Sequence, residues 1–253
     1  MEFETIHIAE TDSTNRWLRD HAAQQGTSPN GLVVMTDYQT AGRGCGTNHW
    51  ESGQGQNLLF SLLVCPQALV ARDQFAISMA VALAICDALA SYIKEVSIKW
   101  PNDIYWRDRK LCGMLIENRL TGGLVRESII GIGLNVNQTL FLSDAPNPVS
   151  LRQILGREVD REALLQAILA AFDRRFAACD VMGEERLEAF SDLRTDYASR
   201  LYRREGFHPY RDVAGEFEAQ LETVEEGGRL VLRDRMGRLR RYDFKGVEFI
   251  IIK

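Results

Sequence analysis

The segment AGRGCGTNHW, at residues 41–50, combines three glycines with one arginine and contains almost nothing that a core would bury. Glycine lets the backbone approach a ligand closely, and consecutive backbone N–H groups form an anion-binding concavity. Arg43 adds a planar, permanently charged group that suits phosphate or carboxylate. The segment therefore indicates an anionic ligand, although a surface turn with a solvated arginine is the simpler interpretation of these residues alone. No G-x-x-x-x-G-K-[ST] pattern occurs, so this is not a P-loop.

The motif KWPND, at residues 99–103, places a lysine, an asparagine and an aspartate at the end of an apolar run. Pro101 has no N–H and ends strand pairing there. Binding residues concentrate on loops that a rigid scaffold positions, so the cluster predicts ligand contacts. A plain turn stays open as an alternative, because Pro-Asn-Asp is also favourable turn chemistry.

Two further motifs predict strands that a ligand can approach. In KLCGMLIE, at residues 110–117, Gly113 lies in mid-strand, which marks either close approach of a ligand or a bulge. In GIGLNVN, at residues 131–137, Gly131 and Gly133 are two residues apart and share one strand face. That face predicts a flat slot for a ligand, or a place where a bulky helix residue packs.

Hydrophobic periodicity predicts the elements that must position these motifs. Strands are expected at 3–9, 32–36, 57–64, 96–100, 110–117 and 127–136. Helices are expected at 12–23, 74–93, 161–179 and 184–199, with DSTN (12–15) as the first N-cap region. Residues 38–56 and 143–150 show neither period, and a gap as long as 38–56 is typical of a binding loop or lid.

The pattern changes after about residue 200, where short alternating runs are separated by EEGG, RDRMG and FKG. These are strands joined by tight turns. The sequence therefore predicts an α+β fold, with a mixed sheet flanked by helices at 1–200 and a small all-β domain at 201–253. The basic segment RDRMGRLRR is most simply a solvated hairpin, with a patch for a phosphate or an acidic partner as the alternative.

Composition excludes several classes of protein. The 253-residue chain has 45% hydrophobic and 26% charged residues, which is ordinary for a globular protein. Its formal net charge of −5 does not favour a nucleic-acid-binding protein. No apolar run approaches the ~20 residues that cross a membrane, and the acidic N-terminus is unlike a signal peptide, so we expect a cytoplasmic protein. The five cysteines are scattered without a C-x-x-C pair, so neither a disulfide framework nor a zinc site is predicted.

Taken in order, DSTN, AGRG…W, KWPND, KLCGMLIE and GIGLNVN resemble the biotin–protein ligases over about residues 5–252. The resemblance implies a class II synthetase-like biotin–lipoate ligase catalytic domain followed by an SH3-like barrel. It implies that biotin reacts with ATP to give biotinyl-adenylate, and that a lysine of a biotin carboxyl carrier protein then takes the biotinyl group. It also implies Mg²⁺, and no tightly bound prosthetic group.

The resemblance assigns roles to individual residues. Implied biotin contacts are Ser13, Thr14, Gln39, Gly42, Arg43, Gly113, Gly131 and Gly133. Implied ATP or adenylate contacts are Arg43, Trp50, Asn102, Asp103, Lys110 and Asn135. Arg43 and Lys110 are the implied catalytic cations, and Asp103 is the implied Mg²⁺ ligand. Trp50 is expected to cover the adenine once its loop closes.

Two departures from the family pattern carry expectations of their own. Some relatives have an arginine-rich loop, roughly G-R-G-R-x-G-R-x-W. In this chain Cys45 stands in place of the second arginine, and Asn48 stands where a further arginine can occur. That loss of charge predicts weaker retention of the adenylate. The motifs begin at residue 12, so we expect a monofunctional ligase without a DNA-binding domain, as a monomer or weak homodimer. Alternatives are a lipoate–protein ligase, a non-catalytic biotin sensor and a nucleic-acid-binding module.

Overall fold

The computed structural model describes residues 1–26, 29–46, 48–142, 147–181, 183 and 185–251. Within these residues the first sheet has seven strands in the order β1-β2-β3-β7-β6-β5-β4. They are β1 (Glu4–Thr11), β2 (Leu32–Gln39), β3 (Leu58–Val64), β4 (Val96–Lys99), β5 (Asp103–Trp106), β6 (Arg109–Thr121) and β7 (Leu124–Leu134). Strands β1 and β2 pair in parallel and the other neighbours are antiparallel, which confirms the predicted mixed sheet.

The described helices flank this sheet. They are α1 (Thr14–Gln25), α2 (Phe75–Leu89), α3 (Leu151–Leu155), α4 (Arg161–Asp180) and α5 (Glu185–Ser199). Asp160 caps α4 as expected, accepting bonds from the N–H groups of Glu162 and Ala163. None of the described helices is both long and apolar enough to span a membrane.

The sheet has two different faces, because side chains alternate along each strand. On one face, Phe60, Ile130 and Met114 belong to a large apolar cluster that includes residues of α2, α4 and α5. On the other face, α1 covers a small cluster built around Leu18 and Val34. We call these the α2 face and the α1 face. Beyond α1, the α1 face is covered by the loop at residues 40–57, and the candidate site lies there.

The C-terminal residues form a separate, entirely antiparallel sheet in the order β11-β10-β9-β8-β12. Its strands are β8 (His208–Asp212), β9 (Gly215–Val224), β10 (Leu230–Asp234), β11 (Leu239–Tyr242) and β12 (Glu248–Phe249). This sheet fits an SH3-like domain, and its tight turns fall at the predicted segments. Trp100 ties it to the first sheet, since its indole donates to the carbonyl of Gly228 at 2.8 Å.

The sequence missed or misplaced several elements. Strand β5 and the short helix α3 were not expected, although Ser150 and Gln153 form a capping box at α3. Helix α2 ends at Leu89 rather than near 93. The segment 38–56 is not without structure, since β2 extends to Gln39 and a β-bridge joins Arg43 to His49. Part of the expected 143–150 loop lies outside the described residues.

Candidate active site

A cleft that is partly open to solvent lies on the α1 face beneath the loop that contains AGRGCG. Most of the predicted site residues line it, although they come from distant parts of the chain. They are Ser13, Thr14, Gln39, Arg43, Trp50, Asn102, Asp103, Lys110, Gly113, Gly131 and Gly133. The fold therefore brings together residues from all five of the sequence motifs and from the end of β2.

One end of the cleft is a network of neutral polar groups. The amide oxygen of Gln39 accepts from the backbone N–H of Thr14 at 2.9 Å and from its hydroxyl at 3.1 Å. The hydroxyl of Ser61 lies 2.7 Å from Thr14 Oγ1 and 2.6 Å from Asn15 Oδ1. Ser13 is the N-cap of α1, but its side chain makes no capping bond. The expected N-cap position is therefore confirmed, and the hydroxyl of Ser13 remains available to the cleft.

Sequence reasoning missed three residues of this network, namely Asn15, Ser61 and Glu117. Asn15 donates to Glu117 Oε2 at 2.7 Å and to the carbonyl of Leu115 at 3.2 Å. A signal existed for two of them, because Asn15 belongs to DSTN and Ser61 is the polar residue within the apolar strand LLFSLLV. Buried hydroxyls need hydrogen-bond partners. Ser61 in an apolar strand therefore indicated a polar residue on the element that packs against that face of the sheet.

The other end of the cleft is cationic. Lys110 Nζ lies 2.7 Å from Asp103 Oδ1, and both side chains are largely shielded from solvent. Asn102 donates to the carbonyl of Met114 at 2.6 Å, which fixes the segment that carries Asp103. A charged group held by a partner before substrate arrives costs little reorganisation during reaction. This arrangement gives Lys110 a defined position next to Gly113.

Arg43 is not placed with Lys110. Its Nη1 lies 3.5 Å from Glu117 Oε1, and the same carboxylate binds Arg19 at 2.8 Å. Glu117 is four residues along β6 from Gly113, a separation of about 13 Å. The two implied catalytic cations therefore point to different ends of the cleft, and each is held by a carboxylate.

The glycines of β6 and β7 share one face of the sheet as expected, and protein side chains pack against that face. Gly113 pairs with Gly133 across β6 and β7, and Leu115 pairs with Gly131. The indole of Trp50 lies on the first pair, so that a Cβ at Gly133 would stand 2.6 Å from Trp50 Nε1. The side chain of Asn15 lies against Gly131 in the same way. Trp50 Nε1 is buried without a hydrogen-bond partner among the described residues.

The sequence model of the biotin/lipoate A/B protein ligase family matches residues 8–135, which is half of the chain and contains the cleft. A biotin–[acetyl-CoA-carboxylase] ligase from Paracoccus denitrificans is 31% identical over 240 residues, covering 91% of this chain and 95% of that protein. The chain belongs to the biotin/lipoate A/B protein ligase family.

Other family members agree over parts of the chain. The bifunctional ligase/repressor BirA of Bacillus spizizenii is 36% identical over 162 residues. That match covers 62% of this chain and 49% of the relative, so the chain spans about half the length of such relatives. A solved structure of biotin protein ligase from Aquifex aeolicus in complex with biotin and ATP has a TM-score of 0.76. It covers 98% of this chain and 99% of that chain at 22% identity, which supports the fold including the C-terminal sheet.

Some predicted residues lie outside the cleft. Asn135 is buried and donates to the carbonyl of Val149 at 3.1 Å, so it holds the chain beyond β7 and does not line the cleft. Gly42 lies behind Trp50, whose backbone N–H donates to its carbonyl at 3.0 Å. Lys99 faces the C-terminal sheet, with its Nζ 4.9 Å from the centre of the Phe249 ring, and burial lowers its pKa. These three residues contact the segments around the cleft and do not line it.

Neither cysteine of the motifs is placed as a nucleophile. Cys112 is fully buried on the α2 face, and burial raises the pKa of its thiol. A buried thiol with a raised pKa is inert. Cys45 borders the cleft and occupies the position where an arginine was expected. Within the described residues, no group of three or more His, Cys, Asp or Glu side chains is arranged to hold a metal ion.

Proposed function

We propose that this family member is a biotin–protein ligase that attaches biotin to a lysine of a carrier protein through biotinyl-adenylate. The observation that carries the proposal is the polarity of the cleft. One end offers neutral hydroxyl and amide groups, bounded by the Glu117 carboxylate that holds Arg43, and the other end offers Lys110 held by Asp103. The pair Gly113–Gly133 and the pair Leu115–Gly131 connect the two ends. The residues that the sequence implied for biotin and for ATP stay proposals. The chemistry of each ligand gives a reason for its assignment to one end of the cleft.

The neutral end suits the ureido ring of biotin. That ring carries N–H donors and a carbonyl acceptor but no charge, so hydroxyl and amide groups are the appropriate partners. Ser13, Thr14 and Gln39 supply them, and the glycines keep the strand face flat enough for the rings and tail. In this proposal biotin takes the place of the Trp50 indole, which moves to cover the adenine.

The cationic end suits the reacting groups. A carboxylate oxygen of biotin forms a bond to the α-phosphorus of ATP while the bond from that phosphorus to pyrophosphate breaks. Negative charge accumulates around the phosphorus, and the ammonium of Lys110 opposes it. Arg43 leaves Glu117 to bind the same anions. No covalent bond to the enzyme forms, which agrees with the inert Cys112.

Mg²⁺ is expected to accompany ATP, and the residues present fit that expectation. Magnesium is usually bound by one or two carboxylates together with substrate phosphates. Asp103 offers one carboxylate at the cationic end, where one of its oxygens already binds Lys110. Bound there, the ion would supply further positive charge to the phosphates.

The second step transfers the biotinyl group to the carrier. The neutral amine of a carrier lysine attacks the mixed anhydride, forms an amide and releases AMP. The printed name of the Paracoccus relative supports an acetyl-CoA carboxylase carrier protein as the acceptor. Monofunctionality, a cytoplasmic location and a monomeric or weakly dimeric state stay predictions from the sequence.

The test is a labelling experiment with the purified protein. We expect [¹⁴C]biotin, ATP and Mg²⁺ to label an apo carrier domain of acetyl-CoA carboxylase, and lipoate with a lipoyl domain to give no transfer. Transfer to lipoyl domains alone would establish the lipoate–protein ligase instead. Biotin binding without biotin-dependent release of pyrophosphate would establish the non-catalytic sensor.

A further inference from the structure

The tip of the loop at residues 42–50 contacts the C-terminal sheet. The loop is closed by two backbone bonds, from Gly44 N–H to the carbonyl of Asn48 at 2.8 Å and from Trp50 N–H to that of Gly42. At the tip, a Cβ on Gly46 would overlap the Nζ of Lys245, so the ammonium lies directly against this backbone. Lys245 belongs to the turn between β11 and β12. The C-terminal domain therefore places a cation on the loop that roofs the cleft.

The backbone of Lys245 is unusual. Its φ is 68°, in the left-handed region that ordinary L-residues avoid at a cost of about 1–2 kcal/mol. Such a conformation persists only where the surrounding structure stabilises it. Residues of this kind concentrate at functional sites.

Lys245 also differs from the other cations of the site in its electrostatics. Arg43 is bound to Glu117 and Lys110 to Asp103. Lys245 has no carboxylate partner within the described parts of the chain. The backbone N–H groups of Cys45 and Gly46 likewise donate to no described acceptor. An ammonium without a described carboxylate partner, next to two backbone N–H groups without a described acceptor, is an arrangement that can bind an anion.

This arrangement adjoins the cleft. Cys45 borders the cleft and also a neighbouring pocket that Phe244, next to Lys245 in the chain, helps to line. Cys45 itself brings no positive charge to the loop. A polyanion whose first phosphate lies at Lys110 needs charge for its remaining phosphates, and Lys245 brings an ammonium to the loop whose Cys45 borders the cleft.

We propose that Lys245, with the N–H groups of Cys45 and Gly46, forms a subsite for the outer phosphates of ATP. This subsite rests on the proposed adenylation. When the bond between the α-phosphorus and the bridging oxygen breaks, pyrophosphate leaves with the electron pair. Lys245 neutralises that departing charge, so the C-terminal domain contributes a substrate-binding residue to the catalytic cleft.

The test compares Lys245→Gln, Lys245→Arg and the control Lys94→Gln in biotin-dependent ATP–pyrophosphate exchange. Lys94 is an exposed lysine remote from the loop. Removing a charge-assisted phosphate contact should raise the KM for ATP about tenfold or more. The inhibition constant of added inorganic pyrophosphate should rise in parallel. Lys245→Arg should restore both values, Lys94→Gln should change neither, and biotin binding without ATP should stay as in the wild type.

A purely structural role for Lys245 gives a different result. If the lysine only holds the loop closed, Lys245→Gln will weaken biotin binding without ATP as well, and that outcome overturns the proposal. An unchanged KM for ATP overturns it too. If instead the wild type shows no biotin-dependent exchange, the proposed function fails, which is distinct from failure of the subsite alone.

A double variant sharpens the test. Cys45→Arg places a guanidinium beside the same N–H groups. If Lys245 supplies charge that position 45 lacks, Lys245→Gln will raise the KM for ATP much less in the Cys45→Arg background. Neighbouring residues that share one ligand show such non-additivity. Fully additive effects would contradict a shared phosphate subsite.

Discussion

The two faces of the seven-stranded sheet use the same strands for opposite purposes. In β7, Ile130 and Ile132 belong to the large apolar cluster of the α2 face, whereas Gly131 and Gly133 face the cleft on the other side. The α2 face is closed by three helices, and the α1 face is closed only in part. One face therefore stabilises the fold, and the other leaves room for ligands between α1 and the loop.

The faces also differ in how their charges are used. On the side of α2, Asp87 binds Arg175 at 2.8 Å and Arg200 at 2.7 Å, which joins α2 to α4 and to the end of α5. In the cleft, Lys110 is held by a single carboxylate at a position open to substrate. Substitutions on the α2 face should change stability, and substitutions in the cleft should change binding and rate.

The largest effect is expected for Lys110→Ala in the cleft. Removing a preorganised cation should slow biotin-dependent pyrophosphate exchange by about 100-fold or more. Lys94→Ala is the matched control and should exchange at the wild-type rate. Near-wild-type exchange by Lys110→Ala would refute the role given to this lysine.

Gly133 and Ile130 lie close together in β7 but on opposite faces of the sheet, so variants at these two positions compare the faces directly. A Cβ on Gly133 would enter the space that the Trp50 ring occupies and that biotin takes over in the proposal, so Gly133→Ala should weaken biotin binding, by about 1–3 kcal/mol if the cost is that of overpacking. Ile130→Ala opens a cavity on the α2 face and should lower the free energy of unfolding by about 2–5 kcal/mol. Calorimetric binding at a temperature where both variants are folded should show a loss of affinity only for Gly133→Ala. Equal losses of biotin affinity in the two variants would contradict the claim that only the α1 face binds the ligand.

A smaller effect is expected for Asp87→Asn, and it should depend on pH. Burial alone would raise the pKa of Asp87, but the bonds and charges of Arg175 and Arg200 outweigh it and hold the pKa below its usual value. A lowered folded pKa adds stability above the unfolded value of about 4, and that stability is lost as the pH falls through the folded pKa. Asp87→Asn should therefore cost about 1–2 kcal/mol at pH 7.

Urea unfolding at pH 7 and near pH 3 measures how the stability contributed by Asp87 depends on pH. The difference in the free energy of unfolding between wild type and Asp87→Asn should narrow at the lower pH, because the unfolded wild type then binds a proton at Asp87 more readily than the folded protein does. A gap that stays constant would show that shape, rather than charge, accounts for the loss. Biotin binding should be unaffected at pH 7.

The smallest signal concerns Trp50. If biotin takes the glycine slot, the indole must leave it, and tryptophan emission should shift when biotin and ATP are added. The chain has four tryptophans, so Trp50→Phe is needed to show that the shift belongs to this residue. The same titration should leave the emission of that variant unchanged. A wild-type emission that stays constant while calorimetry reports binding would place biotin elsewhere.

Much of the site was predictable because its residue types are poor choices for folding alone. Gly113 in mid-strand and Gly131 beside Gly133 weaken a sheet, and a glycine-rich loop has little to bury, so each pointed to a ligand. Ser61 and Glu117 escaped prediction because their meaning depends on Asn15, which lies far away in the chain and close by in the fold. Trp50 was expected over adenine, and its place in the slot depends on packing that no local pattern specifies.

The sequence by itself determined most of the strands and helices and the tight turns of the C-terminal sheet, because periodicity and turn chemistry are local. The mixed sheet and most of the residues that line the cleft were implied by the resemblance of five motifs to one family. Only the tertiary structure decided that Arg43 is bound to Glu117, away from Lys110, and that Lys245 reaches Gly46 from the other domain. Those contacts join residues far apart in the chain, and their existence depends on how the two sheets pack and on which charges find partners.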